Sequence, residues 1–283
     1  MAKPLFAYFG TPALSTVVLN SLEARGFLPA LVVTAPDKPA GRGLELQPSP
    51  VKRWALERNI DVVTPEKLRD PQFLAELGNT DWDVFIVAMY AKLIPKELLD
   101  MPRRGVLNVH PSLLPKFRGP SPVLSAILAD ERETGVSIMQ LTEGMDEGPV
   151  VAQARIEIEE EAWPLKGSQM ETLLAQEGGN LLAELLPDWV AGSLTPEEQD
   201  ATKATYTKKF DSTDALLDLT NPREAFLKIR AFDQSPRAYC ISPKGKRVIV
   251  TEANWKDGDI EIVRVIPEGK KEMLYSDYLR GQD

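Results

Sequence analysis

Cysteine and histidine each occur once in the 283 residues. One thiol, Cys240, excludes an internal disulfide, and one thiol with one imidazole cannot supply an ordinary structural zinc site. No metal is expected. No apolar run approaches the ~18–20 residues needed to span a bilayer, which sets a helical membrane span aside. Positive charge is scarce as well. The net charge of −9 argues against holding nucleic acid by bulk electrostatics, because phosphate neutralisation dominates that kind of affinity. The deficit is uneven: residues 205–283 carry 14 Lys and Arg against 13 Asp and Glu, and residues 1–204 carry 19 against 29. A polyanion is therefore expected on the C-terminal part or on a local basic loop. Gly10-Thr11-Pro12, which closes the first apolar run, is neither a G-x-G-x-x-G nor a P-loop, so dinucleotide binding is not supported. Leu5–Phe9 runs straight into that turn, and with the lone thiol this fits a cytoplasmic protein.

What is present is enough apolar residue to build real cores, 43% of the chain, at a length of one large or two ordinary domains. Leu5–Phe9, Ala30–Thr34, Asp83–Met89 and Val106–His110 read as strands. Helical patterns near Leu14–Ala24, Val51–Arg58, Pro71–Leu77 and Lys96–Leu99 lie between them. This alternation predicts a parallel sheet with a ligand crevice at the carboxyl ends of its strands. After a helix near Val123–Ala129 come strand-like runs Val136–Leu141 and Val150–Ile158 and a long helix from about Gly167 to Val190. Turn residues and charge then mark a linker over 191–205. The remainder, 206–283, holds a helix near Pro222–Ala231 and short strands such as Arg247–Thr251 and Ile260–Ile266, a small β-rich module.

The lone histidine ends one of the strands, in Asn108-Val109-His110-Pro111. Side chains alternate across a strand, so Asn108 and His110 share one face while Leu107 and Val109 take the other. An imidazole moves protons near neutral pH and an amide donates to a developing oxyanion, which together suit acyl transfer. By itself the segment reads equally as a satisfied core histidine beside a strand-ending Asn. Asp146 lies between Gly144 and Gly148, where the backbone can turn sharply and return a carboxylate to the sheet. There it would orient His110 or take a proton, although an ordinary Gly-rich turn explains that segment too. Residues 35–50 form a Pro- and Gly-dense connection in which no regular element is expected. Arg42, bracketed by glycines, has room to approach a phosphate there.

Asn108-Val109-His110, Ser112-Leu113-Leu114-Pro115-Lys116-Phe117-Arg118-Gly119, Thr134-Gly135-Val136 and the Asp146 loop together resemble the folate-dependent formyltransferases. The Pro36-Asp37-Lys38-Pro39-Ala40-Gly41-Arg42-Gly43 loop and Pro48-Ser49-Pro50-Val51-Lys52 resemble the branch of that family acting on methionyl-tRNA. The likeness resumes at Thr205-Tyr206 and Ile229-Arg230-Ala231-Phe232. It implies an α/β fold: a Rossmann-like N-terminal formyltransferase domain over 1–190, a linker over 191–205, and a C-terminal OB-like tRNA-binding domain over 206–283. It implies transfer of a formyl group from 10-formyltetrahydrofolate, a co-substrate, to the α-amine of methionyl initiator tRNA, by a monomer.

Matched position by position, the resemblance makes Asn108, His110 and Asp146 catalytic. Asn108 and protonated His110 would stabilise the oxyanion while Asp146 orients His110 and receives the amine proton. It places the folate against Met89, Tyr90, Ala91, Lys92, Leu93 and Ile94 and against Ser112, Leu113, Leu114 and Pro115. Lys38, Arg42 and Lys52 would meet the tRNA. The chain differs from the family's usual pattern at Leu44-Glu45-Leu46, where lysines are usual, and at Ala91, where glycine is usual. Two other readings are weighed against this one. A folate-dependent transfer to a small amine, or to water as a formyl hydrolase, needs neither the insertion loop nor a second domain. An RNA-binding module with a decayed site sits poorly with an intact Asn108, His110 and Asp146.

Overall fold

Apolar runs too short to be helices account for most of the strands. The computed structural model describes residues 3–40 and 45–281. In chain order its strands are β1 (Phe6–Phe9), β2 (Leu31–Val33), β3 (Lys38–Ala40), β4 (Glu45–Gln47), β5 (Asp61–Val63), β6 (Val84–Val87), β7 (Val106–His110), β8 (Thr134–Gln140) and β9 (Val150–Ile156). The helices over the same stretch are α1 (Ala13–Ala24), α2 (Pro50–Leu56), α3 (Pro71–Gly78), α4 (Lys96–Leu99), α5 (Pro122–Leu128) and α6 (Gly167–Ala191). The chain divides into two compact units. One comprises Met1–Arg118, Gly135–Ile156 and Thr172–Tyr206; the other comprises Gly119–Thr134, Glu157–Glu171 and Thr207–Asp283.

In the first unit seven strands form one sheet, in the order β5-β2-β1-β6-β7-β8-β9. Strands alternate their side chains, and here both faces are covered. Phe6, Tyr8, Ile86, Leu107 and Val109 pack on one side with Val18 and Leu22 of α1, Trp54 of α2 and Leu182 of α6. Ala7, Phe9, Phe85 and Val106 pack on the other with Phe73 and Leu77 of α3 and Leu98 of α4. Two of these helices begin at side-chain caps followed by proline. Ser49 Oγ accepts from Lys52 N ahead of Pro50, and Asp70 accepts from Gln72 N and Phe73 N ahead of Pro71.

Three features differ from the sequence-based expectation. The sheet is mixed, because β8 pairs antiparallel to β7. The chain leaves β7 at His110 and re-enters the sheet with Ser137 opposite that same residue, so no crossover intervenes. Strand β5 went unpredicted, since three residues show no period. The 35–50 connection also contains a hairpin, with Pro39 of β3 paired to Leu46 of β4. In a two-stranded ribbon each strand is an edge, where the missing N–H of proline is tolerated.

The second unit is built on an antiparallel sheet of β10 (Tyr239–Ile241), β11 (Arg247–Lys256), β12 (Asp259–Pro267) and β13 (Met273–Leu274), with helices α7 (Pro222–Ala231) and α8 (Tyr275–Arg280). Asp257 and Gly258, both at positive φ, close the long β11–β12 hairpin, the conformation a two-residue hairpin turn requires. Asp130, after α5, accepts from Arg223 Nε at 3.0 Å and Nη2 at 2.6 Å and from Trp163 Nε1 at 2.7 Å. These bonds hold segments 119–134 and 157–171 to the C-terminal part of the chain. The guanidinium keeps the Asp130 carboxyl below its ordinary pKa. No helix among the described residues is long and apolar enough to cross a membrane.

Candidate active site

Strand β7 presents its residues as the alternation requires. Leu107 and Val109 enter one core, and Val106 enters the core on the opposite face, the one Asn108 and His110 share. Asn108 is half-buried, and among the described residues its side-chain amide forms no hydrogen bond. His110 is buried, only 4% exposed. Strand β8 carries the chain from Ser137, opposite His110, to Gln140, opposite Leu107. Residues 141–149 then fold back and bring Asp146 to the imidazole. Asp146 sits at φ 51°, in the left-handed region that Asp tolerates better than most residues.

His110 Nδ1 lies 3.7 Å from Asp146 Oδ2, and Nε2 lies 3.0 Å from the carbonyl oxygen of Phe117. A carbonyl only accepts, so Nε2 carries a proton and Nδ1 is the basic nitrogen, turned to the carboxylate. Burial pushes the imidazole below its ordinary pKa, and the Asp146 charge and the Phe117 carbonyl offset that in part. The ring therefore favours its neutral form at pH 7, whereas the form expected from the sequence is the protonated one.

The loop after β7 is anchored through its own polar atoms. Ser112 Oγ donates to Lys116 O at 2.7 Å, Ser137 Oγ donates to Ser112 O at 2.6 Å, and Leu114 N donates to Ser137 Oγ at 3.0 Å. Gln153 Nε2 bonds both Leu114 O and Ser137 Oγ at 2.8 Å. Ser112 and Leu114 are buried by this arrangement, whereas Leu113 and Pro115 are half-exposed. The 89–94 segment begins just past Val87, which pairs with Asn108. Tyr90 packs edge-on against Phe9, and its buried hydroxyl has no hydrogen-bond partner among the described residues. Burial pushes that phenol up to about 12. Lys92 gives its ammonium to the carbonyls of Pro65 and Glu66, Leu93 is 75% exposed and Ile94 is buried.

Of the cations in the insertion loop, Lys38 is exposed on the hairpin, and Lys52 is held by both carboxylate oxygens of Asp37 at 2.8 Å. Arg42 lies outside the described residues. Sequence reasoning missed the Phe117 carbonyl, Ser137 and Gln153, because a hydrogen bond to main chain leaves no spacing pattern. A cavity of about 670 Å³ in the second unit, lined in part by Phe210, Arg237, Arg247 and Lys270, contains none of the motif residues.

Residues 3–185 match the family model described as formyl transferase. A methionyl-tRNA formyltransferase of Chloroflexus aggregans is 41% identical over 82% of this chain and 74% of its own length. One of Thermus thermophilus is 42% identical over 93% of this chain and 85% of its own. The fold is shared with a solved methionyl-tRNA formyltransferase from Clostridium thermocellum, at TM-score 0.62 and 14% identity, over 94% of this chain and 99% of that one. With the family model covering well over half of its residues, the chain belongs to the formyl transferase family.

Proposed function

We propose that this protein transfers a formyl group from 10-formyltetrahydrofolate to the α-amine of methionyl initiator tRNA, with Asn108, His110 and Asp146 as its catalytic residues. The observation that carries the chemistry is the neutral, buried imidazole whose basic nitrogen is turned to a carboxylate at the end of a central strand. The acceptor rests on the relatives of about 40% identity, which are named for that substrate.

Asn108 donates its amide N–H to the formyl oxygen as the amine adds to the formyl carbon. His110 Nδ1 takes the proton the amine gives up, directly or by way of Asp146. The imidazolium so formed lies beside the oxyanion, and Asp146 balances its charge. When the bond to the donor nitrogen breaks, that nitrogen receives the proton and His110 is neutral again. Every proton is accounted for within this pair.

The pteridine part of the donor is assigned to the 89–94 strand end and the 112–115 loop. Two observations fit a ligand there: among the described residues the amide of Asn108 has no hydrogen-bond partner, and neither has the buried Tyr90 hydroxyl. Ser112 and Leu114 contribute the loop's shape, because their polar atoms are committed to the fold. Lys38 and Arg42 are assigned to the tRNA, and Lys52 reaches it by exchanging Asp37 for phosphate. In this reading residues 1–190 carry catalysis, 191–205 link, and 206–283 bind RNA, in a cytoplasmic monomer.

Incubation with 10-formyltetrahydrofolate and methionyl initiator tRNA tests the proposal, with uncharged tRNA and an amino sugar nucleotide as controls. Formyl label on the methionyl amine alone is expected. Label on the sugar, or release of formate without transfer, overturns the assigned acceptor.

A further inference from the structure

Arg118 is 3% exposed, and an arginine is almost never so enclosed unless its donors are spent. Here they reach two side chains from a distant stretch of chain. Arg118 Nε and Nη2 donate to Gln199 Oε1 at 3.0 and 2.8 Å, and Nη1 donates to the hydroxyl of Tyr206 at 3.2 Å. With its oxygen fixed, Gln199 has only one way to point its amide. Nε2 donates to the carbonyls of Asp146 at 2.8 Å and Gly148 at 2.7 Å, the two ends of the turn that holds the catalytic carboxylate.

The same arginine is fixed through its backbone. Arg118 N donates to Thr205 O at 2.8 Å, and Phe117 N donates to Thr205 Oγ1 at 2.7 Å. Phe117 is the residue whose carbonyl sets the tautomer of His110. Both partners of the imidazole, the Phe117 carbonyl on one nitrogen and the Asp146 carboxylate facing the other, are thus tied to one strap of chain over 199–206. Asp146 depends on it most, since its left-handed backbone belongs to a loop over 141–149 whose residues, Gly148 apart, are exposed or half-exposed.

We propose that Gln199 and Arg118 are positioning residues for formyl transfer, a brace that holds the Asp146 turn and the Phe117 carbonyl at their places against His110. Neither touches the reacting atoms. The inference rests on the functional reading above for its effect on rate, but its effect on the imidazole can be read without any substrate. A displaced carboxylate is costly because a misplacement of about 1 Å can cost roughly a hundredfold in rate.

The test compares Gln199→Ala, Gln199→Glu and Arg118→Lys with the parent chain. His110 is the only histidine, so the NMR titration of its ring carbons has one signal to follow. In Gln199→Ala the Asp146 charge is no longer held beside the ring, and the midpoint falls below that of the parent. In the transfer assay kcat falls between roughly tenfold and a hundredfold, with KM for donor and tRNA within about twofold. Gln199→Glu keeps an acceptor for Arg118 but has no amide N–H to give, so it behaves as Gln199→Ala does. Retained kcat with an unmoved midpoint in both Gln199 variants overturns the brace, whatever becomes of the fold in Arg118→Lys. If the parent itself transfers no formyl group while the midpoint still moves in Gln199→Ala, the functional reading fails and the brace stands.

Discussion

His110 Nδ1 faces Asp146 Oδ2 across 3.7 Å, while the other ring nitrogen is committed to the carbonyl of Phe117. The separation is long for a direct hydrogen bond and suited to an ion pair formed once the ring gains a proton. Burial works against that proton and Asp146 works for it, with burial the larger influence. A site of this kind keeps the imidazole neutral at rest and stabilises its cation once the ring gains a proton.

The direct consequence is a pH dependence with a fixed sign. His110 is expected to titrate below the ordinary histidine value of about 6.5 in the folded protein, and lower still in Asp146→Asn, followed by NMR of the single imidazole. Because its folded pKa is depressed, His110 contributes stability that is present above the unfolded value and is lost as pH falls toward the folded one. Denaturation midpoints should therefore decline from pH 7 to pH 5.5. A midpoint of titration above 6.5, or one that rises in Asp146→Asn, contradicts the assigned electrostatics.

Gly135 is the second residue of β8, where a Cβ would fall well inside contact distance of the Ala154 carbonyl oxygen and the Leu113 side chain. The obstacle is backbone of the neighbouring strand, which cannot swing aside as a flexible side chain does. Gly135→Ala is expected to destabilise by about 1–3 kcal/mol in urea unfolding, the usual cost of overpacking. Unchanged stability would mean that the strands are spaced more widely than described.

Tyr90 buries a hydroxyl with no partner among the described residues. Removing an unsatisfied polar atom while keeping the ring costs nothing in the free protein, so Tyr90→Phe should hold its stability or gain up to about 1 kcal/mol. A loss of more than about 1 kcal/mol in chemical denaturation would reveal a bond that the hydroxyl makes within the protein.

Binding of the tRNA should weaken as salt rises, because the acceptor's phosphates shed counterions on contact. The slope of log affinity against log salt is about −0.7 to −0.9 for each phosphate neutralised. The net charge of −9 makes the few local cations decisive, and Lys38→Ala is expected to make the slope shallower. A flat response in the parent chain argues for an acceptor other than RNA.

Much of this architecture is legible in the chain before any coordinates are considered. Phe6–Phe9 and Val84–Val87 are apolar on both faces and short, which only strands of a doubly covered sheet require. The shared face of Asn108 and His110 follows from alternation alone, and Gly144 and Gly148 mark Asp146 as a turn residue. The neutral state of His110 was not legible, since it depends on how completely the ring is enclosed. Gln199 was hidden for a different reason. It sits in a polar stretch with the composition of a linker, and the bonds it donates run to carbonyls, which every residue owns. The tie from Asp130 to Arg223 and Trp163 was equally invisible, because it joins segments far apart in sequence.

The claim on which the account turns is that His110 and Asp146 act in the chemical step and not in holding the donor. Single-turnover formylation of methionyl initiator tRNA by His110→Ala and Asp146→Ala, with donor affinity measured alongside by equilibrium binding, addresses it most directly. The predicted result is a fall in rate of roughly 10²–10³, corresponding to about 2.7–4 kcal/mol of lost transition-state stabilisation, with donor affinity nearly unchanged. Rates equal to the parent's, or a loss confined to donor affinity, would contradict it.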